Sequence, residues 1–139
     1  MTATVGTALV TEPTSTRRHP LLRATIVSAV AGAIATSAFA AAAHAAGVPF
    51  AIEGEQIPML GFANLTVIGA VLGGLLLLAF NRFGNHPRRR FVETTAALTV
   101  VSCVPSVIMP PDTATKAALV IAHVLAAVII VPILARAAA

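Results

Sequence analysis

Few side chains in this sequence could do chemistry, and most of them sit inside apolar runs. His123 lies in the run 117–135, Asn64 in 57–80, Ser102 and Cys103 in 91–109, and His44 near the end of 24–46. A histidine can exchange a proton near neutral pH, or bind a cation with carboxylate help. If the runs are helices crossing a membrane, helix rise puts these groups in one layer, ~5–12 Å below one surface. Glu53, Glu55 and Asp112 fall in the connections above that layer. Polar groups in lipid are costly and are therefore candidates for function. One reading is a small outward-facing polar site with His123, the deepest ionisable group, at its centre. The other, and the commoner outcome, is hydrogen bonding between helices, each bond contributing under about 1–2 kcal/mol. Cys103 reads as a small packing residue, since an apolar site disfavours its thiolate. Thr66, Thr94, Thr95 and Thr99 are expected to bond back to their own helices.

Other chemistries find no support. No Gly-rich loop precedes a Lys-Ser or Lys-Thr pair, and neither HExxH nor CxxC occurs. The single cysteine rules out an internal disulfide and a multi-cysteine metal site. Every carboxylate lies in a tail, a connection or at a run's edge, so no buried acidic pair exists. No catalytic residue, cofactor or metal is expected, and the chain reads as non-enzymatic.

The elements that must position these groups follow from composition. Hydrophobic residues make up 58% of the 139 residues and charged ones 10%, against roughly 25% charged in a soluble domain. The solvent for most of this chain is therefore lipid. The net charge of +4 does not point to nucleic acid, because the basic residues sit at run ends and build no face that could track phosphates.

Residues 1–20 are polar and Thr-rich and predict a disordered cytoplasmic tail. Residues 21–136 predict one all-α domain with spans at about 24–46, 57–80, 91–109 and 117–135. Each is long enough, at ~1.5 Å per residue, to approach or cross a ~30 Å core. In the first, Ala29, Ala33, Ser37, Ala41 and Ala45 recur every fourth residue, a stripe for close helix approach. In the second, Gly69 and Gly73 form a GxxxG pair with the same use, within the bundle or between copies. Pro58 suits a first helical turn, Pro105 a kink, and Asp112 a cap for the fourth helix. Glu93 is within reach of Arg89 or Arg90.

The loop 81–90, NRFGNHPRRR, sets the orientation. Arg82, Arg88, Arg89 and Arg90 form a cytoplasmic anchor, and Arg17, Arg18, Arg23 and Arg136 fall on the same side. Only Lys116 falls on the other side, with Glu53, Glu55 and Asp112. An up-down four-helix membrane bundle with both termini cytoplasmic follows. A rival reading treats Arg17-Arg18, the first run and Ala43-His44-Ala45 as a secretory signal, and TRRHPLL resembles a twin-arginine signal. The run is longer than the ~7–15 residues of a signal's core, so retention is favoured. A faint repeat aligns 67–72 with 120–125 and would make the protein two similar hairpins.

The second half, from HPRRRFVETTAALTVVS through the Pro-Asp-Thr-Ala-Thr turn to ALVIAHVLAAVIIVPILAR, resembles a family of small, uncharacterised four-span proteins of actinobacterial membranes, classed under a domain of unknown function. The resemblance covers about Leu21 to Arg136. It implies a retained first helix, four spans and a plasma-membrane location, and it brings no activity, cofactor or site residue. Two functions remain open. One is a non-enzymatic membrane protein acting by helix packing, as a homo-oligomer or as an accessory subunit of a partner membrane protein. The other is a small transporter or proton- or cation-linked channel using the polar layer.

Overall fold

Runs rich in alanine and leucine favour helix, and four helices account for most of the described residues. A computed structural model describes residues 19–138, His19 by its backbone only. The expected tail therefore lies, up to residue 18, outside the described residues. The helices are α1 (His19–Ala45), α2 (Met59–Phe83), α3 (Pro87–Ile108) and α4 (Thr113–Ala135). All four are long and apolar enough to cross a membrane. Their outward faces agree: Ile34, Leu60, Val100 and Val128, one on each helix, are each at least 65% exposed. Apolar surface on every side suits lipid and would be a liability in water.

The helix ends show why each run stops. α1 ends at Gly47 (φ +96°), whose N–H donates to the His44 carbonyl while Val48 N–H donates to that of Ala43, both at 3.0 Å. This is the Schellman arrangement, which needs a left-handed residue at that place. Pro58, in extended backbone, directly precedes α2. Pro87 occupies the first turn of α3, where its missing N–H costs nothing. The basic loop is therefore shorter than 81–90. Arg82 belongs to the last turn of α2 and Arg88, Arg89 and Arg90 to the first turn of α3, leaving only residues 84–86 between helices. Asp112 caps α4, its Oδ2 accepting from Thr115 N–H at 2.8 Å.

The connection after α1 contains an unforeseen element. β1 (Ala51–Ile52) and β2 (Glu55–Gln56) pair as a small antiparallel hairpin. Glu53 and Gly54 at its tip both have positive φ, the type I′ pattern that matches strand twist. Phe50, just before β1, also has a positive φ of 44°, unfavourable for a bulky residue. Burial holds it there. Phe50 is only 2% exposed and meets the Phe62 ring edge-on, with centroids 5.1 Å apart.

α1 is the central helix. It packs closely on α2 and α4, and α4 packs on α3, whereas α2 and α3 meet far less. α1 and α2 run antiparallel, since Thr25 lies against Gly74 and Thr36 against Thr66. One apolar cluster, around Ala29, Leu77, Phe91 and Leu134, joins all four helices near the arginine-bearing turn. A second, around Ala40, Phe50, Phe62 and Ala122, closes the hairpin end.

The small residues on the α1–α2 contact are offset from the expected stripe. The buried face of α1 carries Ser28, Ala29, Gly32, Thr36 and Ala40; Ala41 and Ala45 are exposed. On α2 the buried positions are Phe62, Thr66, Ala70, Gly74 and Leu77. A Cβ on Gly74 would stand 2.5 Å from Thr25 Oγ1, so only glycine admits this approach. A Cβ on Gly69 would meet nothing within 4 Å. We therefore expect Gly74→Val to destabilise the fold by about 1–3 kcal/mol, and Gly69→Val to change it by no more than about 0.5 kcal/mol. Unfolding by SDS titration from mixed micelles measures both; equal effects would refute this account of the contact.

Candidate functional site

Because α2 and α3 stand apart, a cleft of about 920 Å³ runs between them, floored by α4. Its α2 wall includes Leu65, Gly69, Leu72 and Leu76, and its α3 wall Leu98, Val101 and Met109. Ile52 in β1 and Ile57 just after β2 close one end, and Phe91 marks the other. No Asp, Glu, Lys or Arg lines it.

Hydroxyls and one imidazole are set into this apolar surface. Thr36 and Thr66 meet across α1 and α2, their Oγ1 atoms 2.9 Å apart. Thr66 Oγ1 is also 2.6 Å from the Phe62 carbonyl, and Thr36 Oγ1 is 2.9 Å from that of Gly32. Each hydroxyl has one proton, so one threonine donates across to the other, which donates in turn to a carbonyl of its own helix. On α3 the hydroxyls bond back along their own helix. Thr95 donates to Phe91 O at 2.7 Å, Thr99 to Thr95 O at 2.8 Å, and Ser102 to Thr99 O at 2.8 Å.

His123 lies on the cleft floor. Its Nδ1 is 2.8 Å from the Leu119 carbonyl, an acceptor only, so Nδ1 carries the proton. The Ser106 hydroxyl oxygen lies 3.5 Å from the same nitrogen. Ser106, on α3, is 6% exposed.

The residues singled out by sequence separate in space. His123 and Ser102 line the cleft. Gly69 and Gly73 line it too, although a Cβ on Gly73 would stand 3.0 Å from Leu134 Cδ1. Asn64 is exposed on α2 and Cys103 half-buried on α3, both off the cleft wall. His44 is exposed at the end of α1, its Nδ1 3.3 Å from the Val48 carbonyl. Thr36 and Ser106 belong to the site and are not among the sequence candidates. Thr36 lies one position away from the small-residue stripe read in α1. The approach of Ser106 to His123 depends on the stagger of α3 against α4, which no spacing reveals. Among the described residues, no three of His, Cys, Asp and Glu gather as a metal site would require.

A second, shallower hollow lies at the start of α3, lined by His86, Pro87, Arg88, Arg89, Val92 and Glu93. Arg89 Nε is 2.8 Å from Glu93 Oε1, and both side chains are mostly exposed, so the pair adds little stability. Arg82, Arg88 and Arg90 are exposed around the same turn.

The model of a family of unknown function, DUF6069, matches residues 16–139. No curated protein and no solved structure matches the chain. The family match takes in all four helices and agrees with the resemblance to an uncharacterised family.

The Thr36–Thr66 contact is a side-chain bond joining α1 to α2. In a double-mutant cycle with Thr36→Val and Thr66→Val, we expect a coupling of about 0.6–1.7 kcal/mol in detergent unfolding. A coupling of zero would mean that packing alone holds the two helices.

Proposed function

The chain belongs to the DUF6069 family, and from its geometry we propose that it is a non-enzymatic binding protein of the plasma membrane, an accessory subunit that takes an apolar occupant from the bilayer into the α2–α3 cleft. The cleft carries this reading. It is within the usual ~300–1,000 Å³ of ligand sites, is mostly apolar, and holds a few polar groups.

Helix packing as a homo-oligomer has narrower support. Ser28, Ala29, Gly32, Thr36 and Ala40 of α1 are used inside the subunit, and Gly73 and Gly74 meet Leu134 and Thr25. Gly69, with Ala41 and Ala45 of α1, remains open for a contact from outside. A transporter or proton-linked channel is favoured by one observation, the presence of His123 and Ser106 on the cleft wall. The uncharged lining gives a cation little to bind.

Orientation rests on charge. The arginines of the α2–α3 turn, with Arg23 and Arg136, favour the cytoplasmic side, which places both termini there and the hairpin outside. α1 is retained in this reading, because removing it would strip Ser28, Gly32, Thr36 and Ala40 from the core.

Two measurements test the proposal. In a Cys103→Ala background, Glu55→Cys should react with an impermeant maleimide on intact cells, and Asn85→Cys only after permeabilisation; the reverse pattern would overturn the orientation. Gly69→Ile places a side chain in the cleft without meeting the fold. Native mass spectra from nanodiscs should show the occupant of the wild-type protein lost in this variant. An occupant unchanged by the substitution would sink the cleft as the binding site.

A further inference from the structure

We infer that the α2–α3 turn binds the headgroup of an anionic phospholipid, its phosphate held by the guanidinium groups of Arg82, Arg88 and Arg90. This site is separate from the cleft and stands whichever way the cleft is read.

Charge comes first. Four arginines and one carboxylate, Glu93, sit at the turn and leave it a formal +3. Arg89 is already paired, its Nε 2.8 Å from Glu93 Oε1. Arg82, Arg88 and Arg90 are exposed and form no ion pair among the described residues. The other carboxylates among those residues, Glu53, Glu55 and Asp112, lie at the opposite end of the bundle. Every basic residue from 81 to 90, histidine aside, is arginine, whereas the one lysine of the chain, Lys116, is at that opposite end. A guanidinium grips a phosphate with two parallel N–H groups, which an ammonium cannot do.

Depth and apolar neighbours identify the ligand as a lipid. α2 has 25 residues and, at ~1.5 Å per residue, is about 37 Å long, so it overruns a ~30 Å hydrocarbon core. Arg82 stands in its last turn and Arg88 and Arg90 in the first turn of α3, at the level of the lipid headgroups. Phe83 is 82% exposed, its ring centroid 5.6 Å from Arg82 Cζ. Val92 is exposed too and lines the hollow with Pro87 and Arg88. A nucleic acid or an acidic peptide would satisfy the arginines and leave these apolar groups unmet. A phospholipid satisfies both, with phosphate against arginine and acyl chain against Phe83 and Val92. Net charge then chooses among phospholipids, because a zwitterionic head brings its own ammonium into the arginine cluster and an anionic head does not.

The full chain is placed in nanodiscs of equal parts phosphatidylglycerol and phosphatidylcholine, and the lipids that leave with it are counted by native mass spectrometry. Nanodiscs present both ends of the bundle, so the result does not depend on orientation in the cell. We expect phosphatidylglycerol to be retained at least about tenfold over phosphatidylcholine. Arg88→Gln with Arg90→Gln should erase that preference; both side chains are exposed and unpaired, so the fold keeps its stability in SDS titration. Arg23→Gln with Arg136→Gln removes the same charge from the same end of the bundle and should leave the preference in place. Equal retention of the two lipids by the unaltered protein, or equal loss in the two double variants, overturns the site. Displacement of the lipid by millimolar inorganic phosphate at constant ionic strength makes the ligand a soluble anion and overturns the lipid assignment. Gly69→Ile should leave the preference unchanged. If it removes the preference, the lipid is the occupant of the cleft, and the turn reading falls while the cleft reading stands.

Discussion

The structure depends on how closely α1 and α2 approach. In lipid, apolar side chains gain nothing by leaving their solvent for one another, so helices associate through contact area and a few polar bonds. Gly74 against Thr25, Gly32 against Thr66 and Ile130, and the Thr36–Thr66 hydrogen bond supply both. Glycine brings the backbones together, and closeness lets two short hydroxyls meet. Neither works alone, because threonines on helices held apart by larger side chains would each turn back to their own carbonyls.

From that contact the rest of the arrangement follows. With α2 on one side and α4 on the other, α1 turns its remaining face, with Ile26, Val30 and Ile34, outward rather than to α3. α3 packs chiefly on α4 and meets α2 far less, Phe91 sharing a cluster with Leu77 at one end. The cleft is therefore a consequence of making α1 central. The hairpin finishes it. Phe50 is fixed in an unfavourable backbone conformation by its contact with Phe62, which carries Ile52 and Ile57 to the cleft mouth.

Much of this was legible from residue types. Four runs of sufficient length gave four helices, Asp112 reads as the α4 cap and serves as one, and Glu93 finds Arg89 four residues back. Helix ends were less so. Proline at a first turn and arginines with good helix propensity draw α3 back over residues read as loop. Register was the hardest part. On a helix with a small residue at almost every position, several stripes are equally plausible, and only the partner's shape selects Ser28–Gly32–Thr36–Ala40. The candidate site suffers most from this, because depth in a helix says how far down a residue lies and nothing about its azimuth. Asn64 and His123 share a layer by counting, yet Asn64 is off the cleft. Ser106 reaches His123 through the stagger of two helices.

The width of the cleft is set at its ends. α3 is the least apolar of the four spans and has the smallest buried share, so its sides do little to fix it. Phe91, fully buried in the four-helix cluster, pins one end. At the other end Pro110 is buried, and the short turn to Asp112 ties α3 to α4. Residues 84–86 hold α3 just as tightly to α2. Between these anchors Pro105 removes one backbone hydrogen bond from the helix, and the hydroxyls of Thr95, Thr99 and Ser102 turn inward to their own carbonyls. A helix fixed at both ends and weakly held along its length can move toward or away from α2 without disturbing the α1–α2 contact. The cleft can therefore adjust to an occupant at little cost to the fold, while the close-packed half of the bundle stays as it is.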